Sequence, residues 1–126
     1  MVPTDRRYSK EHEWVLVEGD VATIGITHFA QDQLGDIVFV ELPEVDAELS
    51  RDEVMGTIES VKAVSEIFAP ISGKVLEVNS DLESAPETLN SAPNGTGWYC
   101  KMSVGDVADL EGLMDAAAYE ALTQEA

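Results

Sequence analysis

Short apolar runs alternate with turn residues over most of the chain. The runs at 14–17 and 21–26 are separated by the turn Glu18-Gly19-Asp20, which predicts a β-hairpin. Runs with strand-like composition follow at 36–42, 54–59, 64–69, 74–79 and 98–104. We therefore expect the body of the protein to be β-rich.

One short helix is predicted within this β-rich region. Thr27 is suited to cap a helix that runs through Phe29, Ala30 and Leu34. Gly35 would end it, because glycine is favoured just past a helix C-terminus.

The C-terminal segment has apolar residues at three- and four-residue intervals, which is the stripe of an amphipathic helix. These residues are Val107, Leu110, Leu113, Met114, Ala117, Ala118, Ala121 and Leu122. Asp106 and Asp115 are both good N-caps, and Gly112 lies between them. One helix and two short helices packed on the β-rich body both remain open.

A weak internal repeat relates two of the predicted strands. Gly35-Asp36-Ile37-Val38-Phe39-Val40 can be laid over Gly73-Lys74-Val75-Leu76-Glu77-Val78, with a glycine and two apolar positions in register at a spacing of 38 residues. Duplicated halves of this kind suit a sandwich of two small sheets.

Lys62 lies between the two copies, at the expected tip of a hairpin. The tip reads Glu59-Ser60-Val61-Lys62-Ala63-Val64-Ser65, with strand 54–59 before it and strand 64–69 after it. A lysine on a hairpin tip is well placed for covalent attachment. The plainer interpretation of the same residue is a solubilising surface charge.

The neighbours of Lys62 help to separate its possible roles. A lysine that forms a Schiff base needs desolvation or nearby cations to lower its pKa, whereas Glu59 and Glu66 are carboxylates. An ordinary solvated amine is deprotonated in only about one molecule in a thousand at neutral pH. Lys62 is therefore expected to be a substrate that a separate enzyme acylates.

The composition excludes several classes of partner. Seven basic residues stand against 25 acidic ones, and the net charge of −18 repels nucleic acid and anionic membrane surfaces. An apolar fraction of 44% separates the chain from acidic disordered proteins. No window approaches the roughly 20 apolar residues of a membrane span. We expect one domain over residues 1–126 that binds neither nucleic acid nor membrane.

Neither a metal site nor a set of catalytic residues is predicted. Cys100 is the only cysteine, so no disulfide can form within the chain. His12 and His28 are the only histidines, and neither has a partner at metal-ligand spacing. A Gly-x-Ser-x-Gly elbow of the kind that hydrolases use does not occur.

The hairpin resembles the attachment site of lipoyl-carrying proteins. The resemblance rests on Glu59-Ser60-Val61-Lys62-Ala63 followed by Ala69-Pro70-Ile71-Ser72-Gly73-Lys74-Val75. Biotin carriers usually flank their lysine with methionines, so the valine and alanine here favour lipoate. More specifically, the chain from about 8 to 122 resembles the H-protein family of the glycine cleavage system, on Glu11-His12-Glu13-Trp14, Ile24-Gly25-Ile26-Thr27, Ala30-Gln31, Leu34-Gly35-Asp36, Val38-Phe39-Val40-Glu41-Leu42-Pro43 and Gly97-Trp98.

This resemblance implies a mainly β fold, the barrel-sandwich hybrid of lipoyl and biotinyl carriers, with short flanking helices that include a helical C-terminus. The core would cover about 8–104 and the helical segment about 106–124. It also implies lipoic acid in amide linkage to Lys62, on a hairpin recognised through Glu59, Ser60, Val61 and Ala63. In that family the loaded arm shelters in a surface cleft, and Glu13 and Gln33 match positions that line it. Some relatives have histidine in place of Gln33.

The resemblance further implies a carrier of glycine catabolism and one-carbon metabolism that has no turnover of its own. Its partners would be glycine decarboxylase (P protein), aminomethyltransferase (T protein), dihydrolipoamide dehydrogenase (L protein) and the lipoylating enzymes. Two alternatives stay open: a lipoyl relay that passes lipoate to other carriers, and an unmodified acidic interaction module built on the acidic stretch 41–53. The expected state is a monomer in the bacterial cytoplasm, with a mature mitochondrial form also open.

Overall fold

The computed structural model describes residues 2–125, which form nine strands and five helices. The strands are β1 Arg7–Tyr8, β2 Glu13–Glu18, β3 Val21–Ile26, β4 Ile37–Glu41, β5 Glu48–Leu49, β6 Val54–Ser60, β7 Val64–Phe68, β8 Gly73–Val78 and β9 Cys100–Ser103. The helices are α1 His28–Leu34, α2 Asp81–Ser84, α3 Thr88–Ser91, α4 Ala108–Glu111 and α5 Ala116–Glu125. None of these helices combines the length and the apolar composition needed to cross a bilayer.

The strands form two antiparallel sheets. One sheet has the order β1-β2-β3-β9-β8-β5, and the other has the order β4-β6-β7. The main apolar cluster lies between the sheets and takes residues from both. It includes Ile24, Ile58, Ile71 and Met102, which are closed to solvent. The prediction of a mainly β fold with two sheets and short flanking helices is confirmed.

The β2–β3 hairpin and α1 follow the sequence pattern closely. Gly19 makes the turn between the two strands with a φ of 64°, a left-handed conformation that glycine adopts at little cost. The Thr27 hydroxyl accepts the Ala30 N–H at 3.1 Å, which caps α1, and Gly35 ends the helix with a φ of 78°.

The internal repeat has a structural counterpart in β4 and β8. β4 carries a bulge at Val38, between the paired residues Ile37 and Phe39. β8 carries a bulge at Leu76, between Val75 and Glu77, which are the aligned positions of the repeat. The two copies therefore share an irregularity as well as an apolar pattern.

The C-terminal segment forms two helices, α4 and α5, and so decides between the two predicted arrangements. Asp115 caps α5 by accepting the Ala118 N–H at 2.9 Å. The segment between the helices pairs with β1, because the Tyr8 N–H donates to the Met114 carbonyl at 2.8 Å and the Met114 N–H to the Tyr8 carbonyl at 2.7 Å. Tyr119 stacks on Tyr8 with ring centroids 4.7 Å apart.

These contacts create a second apolar cluster, separate from the one between the sheets. Its buried members are Tyr8, Trp14, Ala116 and Tyr119. We call it the terminal clasp, because it joins β1 to α5.

Candidate functional site

The tip of the β6–β7 hairpin has a backbone fixed by hydrogen bonds. Glu59 pairs with Val64, and the Ser60 N–H donates to the Ala63 carbonyl at 2.8 Å, which closes the turn. The Ser60 hydroxyl accepts the Lys62 N–H at 3.3 Å and the Ala63 N–H at 3.1 Å. A buried serine therefore organises the turn that carries the lysine.

Lys62 combines an anchored backbone with a free side chain. The preceding residue, Val61, donates its N–H to the Asp36 carbonyl at 3.0 Å, which ties the tip to the segment between α1 and β4. The Lys62 side chain is exposed, and it takes part in none of the ion pairs found among residues 2–125. Its Cε lies 3.5 Å from the place that a Cβ on Gly35 would occupy, so the alkyl stem leans against the end of α1.

A cleft of about 380 Å³ lies between α1 and β7, and its lining residue Leu34 directly precedes Gly35, against which the Lys62 stem leans. Five of its ten lining residues are apolar and five are polar: the apolar ones are Ile26, Phe29, Ala30, Leu34 and Ile67, and the polar ones are Glu11, His12, Gln33, Ser65 and Glu66. A lining of this mixed character suits a chain that has both a hydrocarbon part and polar groups.

The structure separates the two residues that the family resemblance suggests for the arm cleft. Gln33 lines the cleft between α1 and β7. Glu13 is not among its lining residues in the described part of the chain; it lines a neighbouring cavity, together with Arg51 and Asp52. Glu11 borders both cavities.

The Glu13 carboxyl is buried, with only 1% of the residue exposed. It accepts the Ser9 hydroxyl at 2.5 Å and the Phe68 N–H at 3.4 Å, so it contacts the end of β7. Burial raises the pKa of this carboxyl from 4.5 to about 7, against the opposing effect of the two hydrogen bonds.

Glu13→Gln is expected to change stability in a pH-dependent way. Because the folded-state pKa is raised, the neutral carboxyl favours folding below about pH 4.5, and that contribution is lost as the pH rises through about 7. Glutamine does not titrate, so the free energy of unfolding of the variant should rise relative to the parent by up to about 3 kcal/mol between pH 5 and pH 8. Urea unfolding followed by circular dichroism at both pH values measures this difference.

Glu18→Gln is the matched control, because it makes the same chemical change at an exposed position at the end of β2 and leaves the buried Glu13 carboxyl in place. An equal stability difference for Glu13→Gln at both pH values would contradict the assignment of a raised pKa to Glu13.

One wall of the cleft is fastened to the terminal clasp through a polar network that the sequence did not reveal. The Tyr119 hydroxyl lies 2.6 Å from the Thr27 hydroxyl and 2.8 Å from His12 Nδ1. The His12 ring packs on Phe29 with centroids 4.8 Å apart, and burial lowers the pKa of His12. The sequence indicated His12 as a member of the Glu11-His12-Glu13-Trp14 motif and as a histidine without a metal partner, but it gave His12 no structural role. The only feature of the sequence that could have indicated a packed His12 is its position next to Glu13 and Trp14.

Comparison with known proteins agrees with this geometry. The family model described as "Glycine cleavage H-protein" matches residues 6–126. The glycine cleavage system H protein of Symbiobacterium thermophilum is 58% identical over 98% of this chain and 97% of its own length. The protein of the same description from Bacillus subtilis is 57% identical over 98% of both chains.

A solved structure shows the same architecture. The crystal structure of a glycine cleavage system H protein from Mycobacterium marinum superposes with a TM-score of 0.87 at 37% sequence identity. The match covers 98% of this chain and 99% of that one. The likeness therefore extends over nearly the whole chain.

Proposed function

This chain belongs to the glycine cleavage H-protein family, a family of lipoyl carriers, and we propose that it carries its lipoyl group on the amine of Lys62. One observation carries the proposal: an exposed lysine stands on a turn whose backbone is fixed by hydrogen bonds. When attached, the lipoyl dithiolane supplies the redox and group-transfer chemistry. The chain's own residues set where the arm begins.

Each residue around Lys62 has a different part in exposing its amine to a lipoylating enzyme. Ser60 shapes the turn through its hydroxyl, and Val61 anchors the tip through its N–H. Val61 and Ala63 leave exposed, uncharged flanks on which a lipoylating enzyme can approach the amine. Glu59 adds an exposed carboxylate one strand position away from the turn. Together they form the recognition hairpin of the proposal.

The cleft gives the proposed arm a resting place. Phe29, Leu34 and Ile67 would contact its hydrocarbon part, and Gln33 and Glu66 would face its polar end. An arm lying in the cleft would have part of its surface shielded from water, which would slow hydrolytic loss of a labile aminomethyl group. Glu13 would support the cleft wall indirectly, because it accepts a hydrogen bond at the end of β7 and does not line the cleft among the described residues.

The proposed role is that of a non-catalytic carrier of glycine catabolism and one-carbon metabolism. The arm would receive the aminomethyl group of glycine at the decarboxylase, give it up at the aminomethyltransferase and be reoxidised at dihydrolipoamide dehydrogenase. Tethering raises the effective concentration of the group at each active site, and a fixed turn defines its starting point. The similar proteins from Symbiobacterium and Bacillus are bacterial, and we further propose that this chain acts in the cytoplasm as a monomer.

Intact-mass measurement tests the attachment site. Expression with lipoate and a lipoylating enzyme should add the mass of one lipoyl group, and proteolytic mapping should find it on Lys62 and on none of the other lysines. A lipoyl group on a different lysine, or no gain in mass, would overturn the proposal.

A further inference from the structure

The outer face of the sheet β4-β6-β7 combines exposed apolar residues with carboxylates. Two rows of paired residues cross it: Phe39, Glu59 and Val64 form one row, and Glu41, Thr57 and Glu66 form the other. All of these except Thr57 are exposed. We call the exposed residues of these rows, together with Val38, the hairpin-sheet face.

The bulge in β4 is the reason that this face carries an aromatic side chain. In a regular strand successive side chains alternate between the two faces, so Val38 and Phe39 would point to opposite sides. The extra residue at the bulge leaves both outside, with Val38 49% and Phe39 52% exposed, while Ile37 and Val40 stay buried.

The second copy of the repeat shows that the fold does not require an aromatic residue there. At the aligned bulge of β8, Leu76 and Glu77 are both exposed. Glu77 lies opposite Lys101, and its carboxylate is 4.0 Å from the lysine Nζ. The position of Phe39 therefore accepts a solvated glutamate in the copy that does not carry the hairpin. An exposed aromatic residue beside the hairpin suits a protein interface, where such residues are enriched.

The charge of this face is one-sided. The sequences of β4, β6, β7 and α1 contain no lysine and no arginine. Glu41, Glu59 and Glu66 supply carboxylates, and acylation of Lys62 under the proposed function removes the cation at the tip. The charge complement of such a face is a surface rich in arginine or lysine.

We propose that the hairpin-sheet face is the docking surface for the enzyme that loads the arm, the decarboxylase of the proposed function, through an apolar seat for Phe39 ringed by arginine or lysine side chains. This inference rests on the proposed function. Val64 lies two residues from Lys62, so a partner seated on the face has the root of the arm at the edge of its interface.

The position of the cleft favours the loading enzyme as the occupant. The cleft shares only Glu66 with the hairpin-sheet face among its lining residues in the described chain. A partner docked on the face therefore leaves the cleft open, and a newly loaded arm can turn into it before the partner leaves. An enzyme that removes the group would instead have to draw the arm out of the cleft.

Phe39→Glu in the lipoylated chain tests the surface, because it installs the residue found at the aligned position of the repeat. The measurement is glycine-dependent exchange of labelled bicarbonate by the decarboxylase as a function of carrier concentration. We expect the KM for the carrier to rise about tenfold or more with kcat nearly unchanged, as for loss of an aromatic anchor worth more than about 1.4 kcal/mol. Glu41→Gln should raise the KM less and weaken its dependence on salt.

Leu76→Glu is the matched control, because Leu76 is an exposed apolar residue at the other bulge and its replacement should leave the KM unchanged. Circular dichroism and complete lipoylation establish that each variant is folded and modified. An unchanged KM for Phe39→Glu, or a fall in kcat alone, overturns the docking surface. Failure of lipoylation at Lys62 in the parent chain overturns the proposed function instead, so the two failures are distinguishable.

Discussion

Lys62→Arg is expected to reduce glycine-dependent carbon dioxide exchange with the decarboxylase to the level of a mixture that lacks the carrier. The guanidinium keeps the positive charge, but it is a far poorer nucleophile than an amine and will not form the lipoyl amide. The Lys62 side chain is exposed and forms no ion pair within the described chain, so the variant should fold as the parent does. Intact mass and exchange rate, measured on the same sample, check both parts of the expectation.

Lys74→Arg is the control for this experiment. Lys74 is also exposed, and its Nζ lies 3.5 Å from the Asp46 carboxylate, an interaction that arginine can preserve. It should be lipoylated at Lys62 and should support normal exchange. Exchange above background by Lys62→Arg would show that the arm is attached elsewhere or is not required.

Gly56→Ala is expected to destabilise the fold strongly, with a loss of about 3 kcal/mol or more in the free energy of unfolding. A Cβ at Gly56 would collide with the Tyr99 hydroxyl and with the backbone carbonyl of Glu41. The Tyr99 hydroxyl donates to that same carbonyl, and Tyr99 is fully buried, so the collision also breaks a partly buried hydrogen bond. Since domains of this size are stable by only about 5–15 kcal/mol, much of the variant should be unfolded at moderate urea concentrations.

Gly95→Ala separates this steric effect from the general effect of adding a methyl group to a glycine. A Cβ at Gly95 would meet no atom within 4 Å. Urea unfolding followed by circular dichroism should show a change within about 0.5 kcal/mol for Gly95→Ala. Equal stabilities of the two variants would mean that the strands around Gly56 can separate without cost.

The elements that could be predicted from the sequence are those with a local cause. The β2–β3 hairpin has glycine at its turn, α1 has a threonine cap, and the Lys62 hairpin has an apolar run on each side. The predicted boundaries agree with the structure to within two residues. In each case neighbouring residues alone favour the observed conformation.

The elements that could not be predicted depend on distant partners or are very short. β1 and β5 contain two residues each, and α2 and α3 are single turns of four, too short to show a period. The bulge in β4 depends on how its residues pair with β6, which no local pattern records. The sequence therefore indicated the internal repeat but not the outward position of Phe39.

The candidate site likewise has one part that is local in sequence and one part that depends on distant segments. The hairpin around Lys62 is local in sequence, so its tip was predicted together with Ser60, Val61 and Ala63. The cleft is assembled from segments far apart in the chain, which explains why resemblance alone could suggest Gln33 and Glu13 for it. The structure places the first of these on the cleft and the second in the neighbouring cavity.

The terminal clasp should be less stable towards local unfolding than the core between the sheets. Its apolar cluster is separate from the one between the sheets, so it can open without exposing the sheet core, and amide protons of α5 should exchange with solvent before those of β3. Opening would also break the hydrogen bond between the Tyr119 and Thr27 hydroxyls. The Thr27 hydroxyl also caps α1, so the start of that helix would lose a contact. The first loosening of the molecule would thus reach the wall of the cleft while the hairpin that bears Lys62 kept its shape.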